Sequence, residues 1–260
     1  MAIMSRKLSC TVITMNEEDR IERCLASVRG IADEIVVVDS GSTDGTLEIA
    51  RACGAVCHVN AWRGYGQQKR FAEDVATNDW ILNLDADEWL TDGARREIAA
   101  IMGTPQPDPQ IHGYRFDIRH VYPGRSKPRL LADSHKYIRL YDRTRCRFPD
   151  SAVFDEIKLE PKNMGRIRGP VLHQSLRSLS HLMKKNVAYY RLQTTEIDKV
   201  PSLLLLRMAT EPFTVFFKYY VLKRHFTGGA YGFAVASTIA GLRTYRLALL
   251  RRSGKSRGSG

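Results

Sequence analysis

The sequence predicts an α/β protein: a mixed sheet flanked by helices, with a basic, apolar helical region at its C-terminal end. Three observations carry this. Strand-like and helix-like segments alternate over about the first 85 residues, the order of a doubly wound, largely parallel sheet. Ile35-Val36-Val37-Val38 is continuously apolar and β-branched, as a strand covered on both faces must be. Charge is uneven: residues 1–165 hold 23 Lys and Arg against 25 Asp and Glu, whereas residues 166–260 hold 17 against 3.

The first strand is expected at Leu8 to Thr14. Asn16-Glu17-Glu18-Asp19 suits a turn and a helix start, and Ile21, Cys24, Leu25 and Val28 then recur at helical spacing. Glu34 to Asp39 is the second strand, Ser40 to Gly45 a tight loop, and Thr46 to Ala52 a helix. Ala55 to Val59 fits a short third strand, Gln67 to Ala76 a helix, and Trp80 to Leu84 a fourth strand. Regularity weakens after Asp87. Arg95 to Met102 reads as helix, Pro105 to Pro109 as loop, and Tyr114 to Val121 and Tyr137 to Tyr141 as strands. Val171 to Gln193 reads as helix, although Pro170-Val171-Leu172 is also strand-like.

From Pro201 the chain is apolar and basic together. Leu, Phe and Tyr runs alternate with Arg207, Lys218, Lys223 and Arg224, which points to amphipathic helices on an anionic membrane surface. Phe226 to Leu242 carries no formal charge, so a span there and packing on the protein's own core are the alternatives. Ser253 to Gly260 is expected to be a flexible basic tail. The expected organisation is a domain over 1–195 (halves 1–90 and 91–195), membrane-associating helices over 196–252, and the tail.

Five cysteines, odd in number and irregularly spaced, indicate reduced thiols rather than a disulfide framework or a zinc site. The N-terminus enters a strand almost directly, so no signal peptide is expected. The basic tail fits a polyanionic partner, but its Phe and Leu runs are poor nucleic-acid-reading surface.

Asp85-Ala86-Asp87 follows the apolar run of the fourth strand. Open α/β sheets bind ligands beyond the carboxyl ends of their strands, and hard carboxylate oxygens suit Mg²⁺ or Mn²⁺. Taken alone, such a pair is more often a solvated turn or a helix cap.

Three segments together are more specific: Thr11-Val12-Ile13-Thr14-Met15-Asn16-Glu17, Val36-Val37-Val38-Asp39-Ser40-Gly41-Ser42-Thr43-Asp44-Gly45-Thr46, and Asp85-Ala86-Asp87 about 40 residues later. In these the chain resembles family 2 glycosyltransferases of the GT-A type. Gly64-Tyr65-Gly66-Gln67-Gln68-Lys69-Arg70 and the basic apolar tail resemble a narrower branch, the lipopolysaccharide core β-glucosyltransferases.

The resemblance implies a metal-dependent inverting glycosyltransferase. Its donor would be a nucleotide-diphospho-sugar, a UDP-sugar first among them, and its acceptor a lipid-anchored glycan. It would work as a cytoplasmic protein peripheral to the inner face of the cytoplasmic membrane. Thr14, Asn16, Glu17, Asp39, Lys69 and Asp85 fall at nucleotide-sugar-binding positions, with Lys69 standing where the family usually has Arg. Asp87 and His173 fall at metal positions. Glu156 aligns with the base, and Asp155 replaces the usual His beside it, so either carboxylate is a candidate. Asp44 and Gly45 read as structural, keeping the turn tight. Transfer to polyprenyl phosphate, and a non-enzymatic nucleotide- or nucleic-acid-binding module, are the competing readings.

Overall fold

The structure, a computed structural model, describes residues 6–104, 108–196 and 203–257. It divides into two compact units, one of residues 1–119 and 134–173 and the other of residues 120–133 and 174–260.

The first unit holds the sheet. Four strands, β1 (Leu8–Thr14), β2 (Glu34–Asp39), β3 (Val56–Val59) and β4 (Trp80–Asp85), form its parallel part. Helices α1 (Ile21–Val28), α2 (Thr46–Ala52) and α3 (Tyr65–Val75) connect them. Beyond β4 come β5 (Glu88–Leu90), α4 (Asp92–Met102), β6 (Gly113–His120), β7 (Ser134–Asp142), β8 (Met164–Arg166) and β9 (Val171–His173). The strand order is β3-β2-β1-β4-β7-β6-β9-β5, with β8 pairing β6. β7 runs antiparallel to β4 and β6, and β9 antiparallel to β5, which makes the sheet mixed.

Apolar patterning explains most of this. Val36, Val37 and Val38 are fully buried, as strand residues covered on both faces must be. The α1 residues Ile21, Cys24, Leu25 and Val28 are all buried against the sheet, completing one core cluster with β1 and β4. Thr91 Oγ1 accepts from the Ala94 amide and caps α4. The described cysteines are all free, and burial pushes the Cys10 thiol up to about 12, which fits an inert core residue.

Several expected boundaries move. Val171–His173 is a strand, not the start of a helix, because Glu88↔His173 and Leu90↔Val171 pair β9 with β5. Val121 lies beyond β6, and β7 begins at Ser134 rather than Tyr137. α4 starts at Asp92, three residues before Arg95, because its cap is Thr91. The loop expected at Pro105 to Pro109 falls partly outside the described residues.

The second unit is helical: α5 (Leu179–Glu196), α6 (Leu204–Phe217) with a π-helical extension over Lys218–Leu222, a short 3₁₀ turn at His225–Gly228, and α7 (Gly229–Arg257). The apolar region expected from Pro201 starts at Leu203 among the described residues. α7 packs against α5 and α6, burying Val235, Ala236, Ala240, Leu242, Leu247 and Leu250. Within Phe226 to Leu242, Val235, Ala236, Ala240 and Leu242 are buried while Phe226 and Phe233 are exposed, and no described helix is long and apolar enough to cross a membrane. The expected tail is helical through Arg257; residues 258–260 lie outside the described residues.

Candidate active site

Register places the first site residues. Thr14 pairs with Asp39 and Ile13 pairs with Asp85, so Asp39, Thr14 and Asp85 stand side by side at the carboxyl edge of β2, β1 and β4. Asp85 is the last residue of β4, and Asp87 lies in the turn before β5.

The loops after β1 and β2 are stitched together. The Asn16 amide donates to Ser42 Oγ at 2.8 Å, and the Thr43 amide donates to Asn16 Oδ1 at 2.9 Å. The Glu17 amide donates to Thr46 Oγ1 at 2.8 Å. Asn16 holds a left-handed backbone at φ 56°, a conformation that Asn tolerates better than most residues. Asp39 is fully buried, and its carboxylate accepts from the Gly41 and Ser42 amides at 2.8 and 2.7 Å. It therefore shapes the Ser40–Gly45 loop whatever else it does. Asp44 accepts from the Thr46 amide at 3.1 Å and from the Glu18 amide at 3.3 Å, which ties the second loop to the first. Thr14 Oγ1 is buried without a hydrogen-bond partner at this edge.

Around the acidic pair, opposite charges alternate. Asp85 accepts from Arg139 Nη2 at 2.9 Å and lies 3.0 Å from Lys69 Nζ. Lys69 Nζ donates to Asp155 Oδ2 at 2.9 Å and is nearly fully buried. Lys69 thus sits between two carboxylates rather than on a solvated helix face. Arg139 also donates to Glu88 Oε1 at 2.6 Å and to Asn83 Oδ1 at 3.1 Å. Burial raises the Asp85 carboxyl, but the Arg139 and Lys69 charges outweigh it and hold the group far below the usual range. Glu88 is raised, chiefly by burial.

Asp87 Oδ2 lies 3.2 Å from His173 Nε2 and 3.3 Å from Arg20 Nη1. Arg20 in turn donates from Nε to Glu17 Oε2 at 2.7 Å. Burial lowers the His173 imidazole, but the hydrogen bond and charge of Asp87, with Glu88 and Asp85 behind it, prevail and raise it.

The segment bearing Asp155 reaches the site because two glycines let it. A Cβ on Gly66 would collide with the carbonyls of Pro149, Ser151 and Phe154, and one on Gly64 with the Ala152 backbone. The Tyr65 and Gln67 amides donate to the Ala152 and Ser151 carbonyls, each at 3.2 Å. Buried Glu73 anchors the start of the segment, accepting from Arg147 Nε, Tyr141 Oη and the Phe148 amide at 2.7, 2.8 and 3.1 Å. Gly64-x-Gly66 thus has a structural reason: backbone lies on backbone.

The structure brings Asp85, Asp87, Lys69, Asp155 and His173 together, with Asn16, Glu17, Thr14 and Asp39 on the same edge. The Glu156 side chain, next to Asp155 in the chain, is exposed, and it is Asp155 that meets Lys69. Sequence reasoning missed Arg20, Glu88 and Arg139. Arg139 had a signal, a lone cation inside the apolar run Tyr137-Ile138-Arg139-Leu140-Tyr141.

Asp87 and His173 offer one oxygen and one nitrogen donor converging on a point, a set that suits Mn²⁺ or Mg²⁺. No cluster of three or more such side chains occurs among the described residues.

Residues 9–155 match the family described as Glycosyl transferase family 2. The chain belongs to that family. An uncharacterized glycosyltransferase of Rickettsia bellii (strain RML369-C) is 36% identical over 96% of this chain and 87% of its own. A lipopolysaccharide core biosynthesis glycosyltransferase, LpsC, of Rhizobium meliloti (strain 1021) is 31% identical over 64% of this chain and 62% of its own. Among solved structures, glucosyl-3-phosphoglycerate synthase from Mycobacterium tuberculosis, in complex with Mn²⁺, UDP-glucose and glycerol 3-phosphate, matches at 26% identity and a TM-score of 0.35, covering 46% of each chain. The mixed sheet flanked by helices is the GT-A arrangement expected of a family 2 member.

Proposed function

We propose that this glycosyltransferase inverts the anomeric centre of a nucleotide-diphospho-sugar, a UDP-sugar first among donors, while transferring the sugar to a lipid-linked glycan. The observation that carries the reading is the meeting of Asp85, Asp87, Lys69, Asp155 and His173 at the carboxyl edge of the sheet. The similarity to LpsC supports an acceptor in lipopolysaccharide core or other cell-envelope glycan synthesis. The work would take place on the cytoplasmic membrane's inner face, with residues 196–252 as the attaching region.

Asn16, Glu17, Asp39 and the unpartnered Thr14 hydroxyl would hold the nucleoside, with Asp85 on the ribose side. Asp87 and His173 would hold a divalent cation, which when bound supplies positive charge for the diphosphate leaving group. Lys69, already between two carboxylates, adds a second fixed cation at the same edge. A carboxylate of the 155–156 pair takes the acceptor hydroxyl's proton. The acceptor oxygen then bonds to the anomeric carbon as the bond to the diphosphate breaks, and the electron pair leaves with the nucleotide. Asp155 is the better placed of the two, because its loop is fixed by Gly64, Gly66 and Lys69, whereas Glu156 faces solvent.

A thermal-shift screen of nucleotide sugars with Mn²⁺ and Mg²⁺ tests the donor. Turnover by Asp155→Asn and Glu156→Gln assigns the base, and product masses separate a glycan from a polyprenyl-phosphate acceptor. No metal-dependent turnover of any nucleotide sugar would sink the proposal.

A further inference from the structure

The second unit carries a helix turned inside out. Along α6 and its π-helical extension, the exposed positions recur every turn: 205 and 206, 209 and 210, 213 and 214, 217 and 218, 221 and 222. In a soluble helix such a stripe is polar. Here Leu206, Phe213 and Phe217 are 56%, 77% and 54% exposed, and Leu205 and Leu222 are exposed beside them. No carboxylate lies on the stripe. Glu211 is turned inward, paired with Arg207. The opposite face is already satisfied, because Phe216 stacks on Tyr220 at 5.1 Å and both rings meet Phe233. The stripe is therefore not waiting for α7, which packs on the other side.

Cations gather at one end. Lys218 lies on the stripe, and Lys223 and Arg224 follow it, with Asp133 3.4 Å from Lys223 Nζ the one carboxylate paired there among the described ion pairs. Arg129 donates to the Lys223 carbonyl at 2.8 Å and to the Arg224 carbonyl at 3.1 Å. That ties to the stripe's end a cleft of about 390 Å³ lined by Arg125, Lys127 and Arg129 with Tyr122 and Thr227. An apolar stripe without acidic residues, ending in a cationic patch, matches acyl chains beneath anionic headgroups.

We infer that the α6 stripe, Leu205 to Leu222, is the surface by which this chain docks on an anionic phospholipid bilayer, with α7 serving as its internal support. This rests on the proposed membrane-surface reading and deepens it by assigning it to one helix face.

Co-sedimentation of the full chain with phosphatidylcholine vesicles, with and without phosphatidylglycerol, tests it. The wild-type chain should bind the anionic vesicles. The double substitution Phe213→Glu/Phe217→Glu should weaken that binding by at least about tenfold, since it withdraws two large apolar side chains from the lipid. Lys218→Gln/Lys223→Gln should lower the preference for anionic over neutral vesicles by about tenfold. All four side chains are exposed or half-exposed, and an unchanged helical circular dichroism spectrum would show that the fold survives.

Wild-type chain that ignores both vesicle types would overturn the inference and the membrane reading together. Wild-type binding that survives the Phe substitutions would overturn the stripe alone. Equal binding to neutral vesicles would overturn the anionic requirement. A dimer in sedimentation velocity that Phe213→Glu/Phe217→Glu dissolves would assign the stripe to a second copy of the chain instead.

Discussion

Arg139→Met should unclamp the acidic turn, and its cost can be worked from the contacts. The guanidinium is buried and makes three charge-assisted hydrogen bonds, at 2.6 Å to Glu88, 2.9 Å to Asp85 and 3.1 Å to Asn83. Such bonds contribute about 1.5–3 kcal/mol each, a gross loss of about 4.5–9 kcal/mol. Asp85 keeps Lys69 at 3.0 Å, so part of that is retained. Removing one partner of a buried ion pair costs about 3–5 kcal/mol, and we expect the lower end. All three tryptophans, Trp62, Trp80 and Trp89, lie in the first unit, so urea denaturation followed by their fluorescence reports on that unit alone. At a slope of about 2 kcal/mol per molar urea, the midpoint should fall by about 1.5 M. A second substitution sharpens the test. Glu88→Gln should destabilise the wild-type chain, because it weakens a 2.6 Å charged bond, yet stabilise Arg139→Met, because it removes a stranded buried charge. If Arg139→Met moves the midpoint by less than about 0.5 M, or if Glu88→Gln destabilises both backgrounds, the clamp is not what holds the turn.

Other outcomes follow from the same contacts. Gly66→Ala should push the 149–154 segment off α3 and carry Asp155 away from Lys69; overpacking of this kind costs about 1–3 kcal/mol, and donor turnover should fall more than thermal stability does. Asp87→Ala and His173→Ala should each weaken Mn²⁺ binding, read by calorimetry, by about tenfold or more, with the double substitution adding little once either donor is lost. In the second unit, burial, with the Arg129 charge, depresses His225 from 6.5 to about 4. The unfolded chain then binds a proton that the folded one refuses, so this group's contribution is complete above about pH 6.5, is lost as pH falls, and is gone by about pH 4. Helical melting of His225→Gln should accordingly lose less stability than the wild-type chain across that window; equal losses would contradict the assignment.

The parallel half of the sheet was legible in the sequence because its causes are local. Apolar runs such as Ile35 to Val38, helical spacing from Ile21 to Val28, and the acidic ends Asp39 and Asp85 each fall within a few neighbouring residues. The same holds for the family, whose motifs lie within single loops. Tertiary structure decided what depends on residues far apart. It paired Val171–His173 with β5, because a three-residue strand has no pattern of its own and is made by its partner. It set Lys69 between Asp85 and Asp155 and brought Arg139 onto Asp85 and Arg20 onto Asp87, since charges meet by position in space. In the second unit, composition marked 201–252 as apolar, with basic residues on either side of the uncharged stretch Phe226 to Leu242, without saying which face was which. Packing separated them: one face of α7 is buried against α5 and α6, and α6 turns an apolar stripe outward.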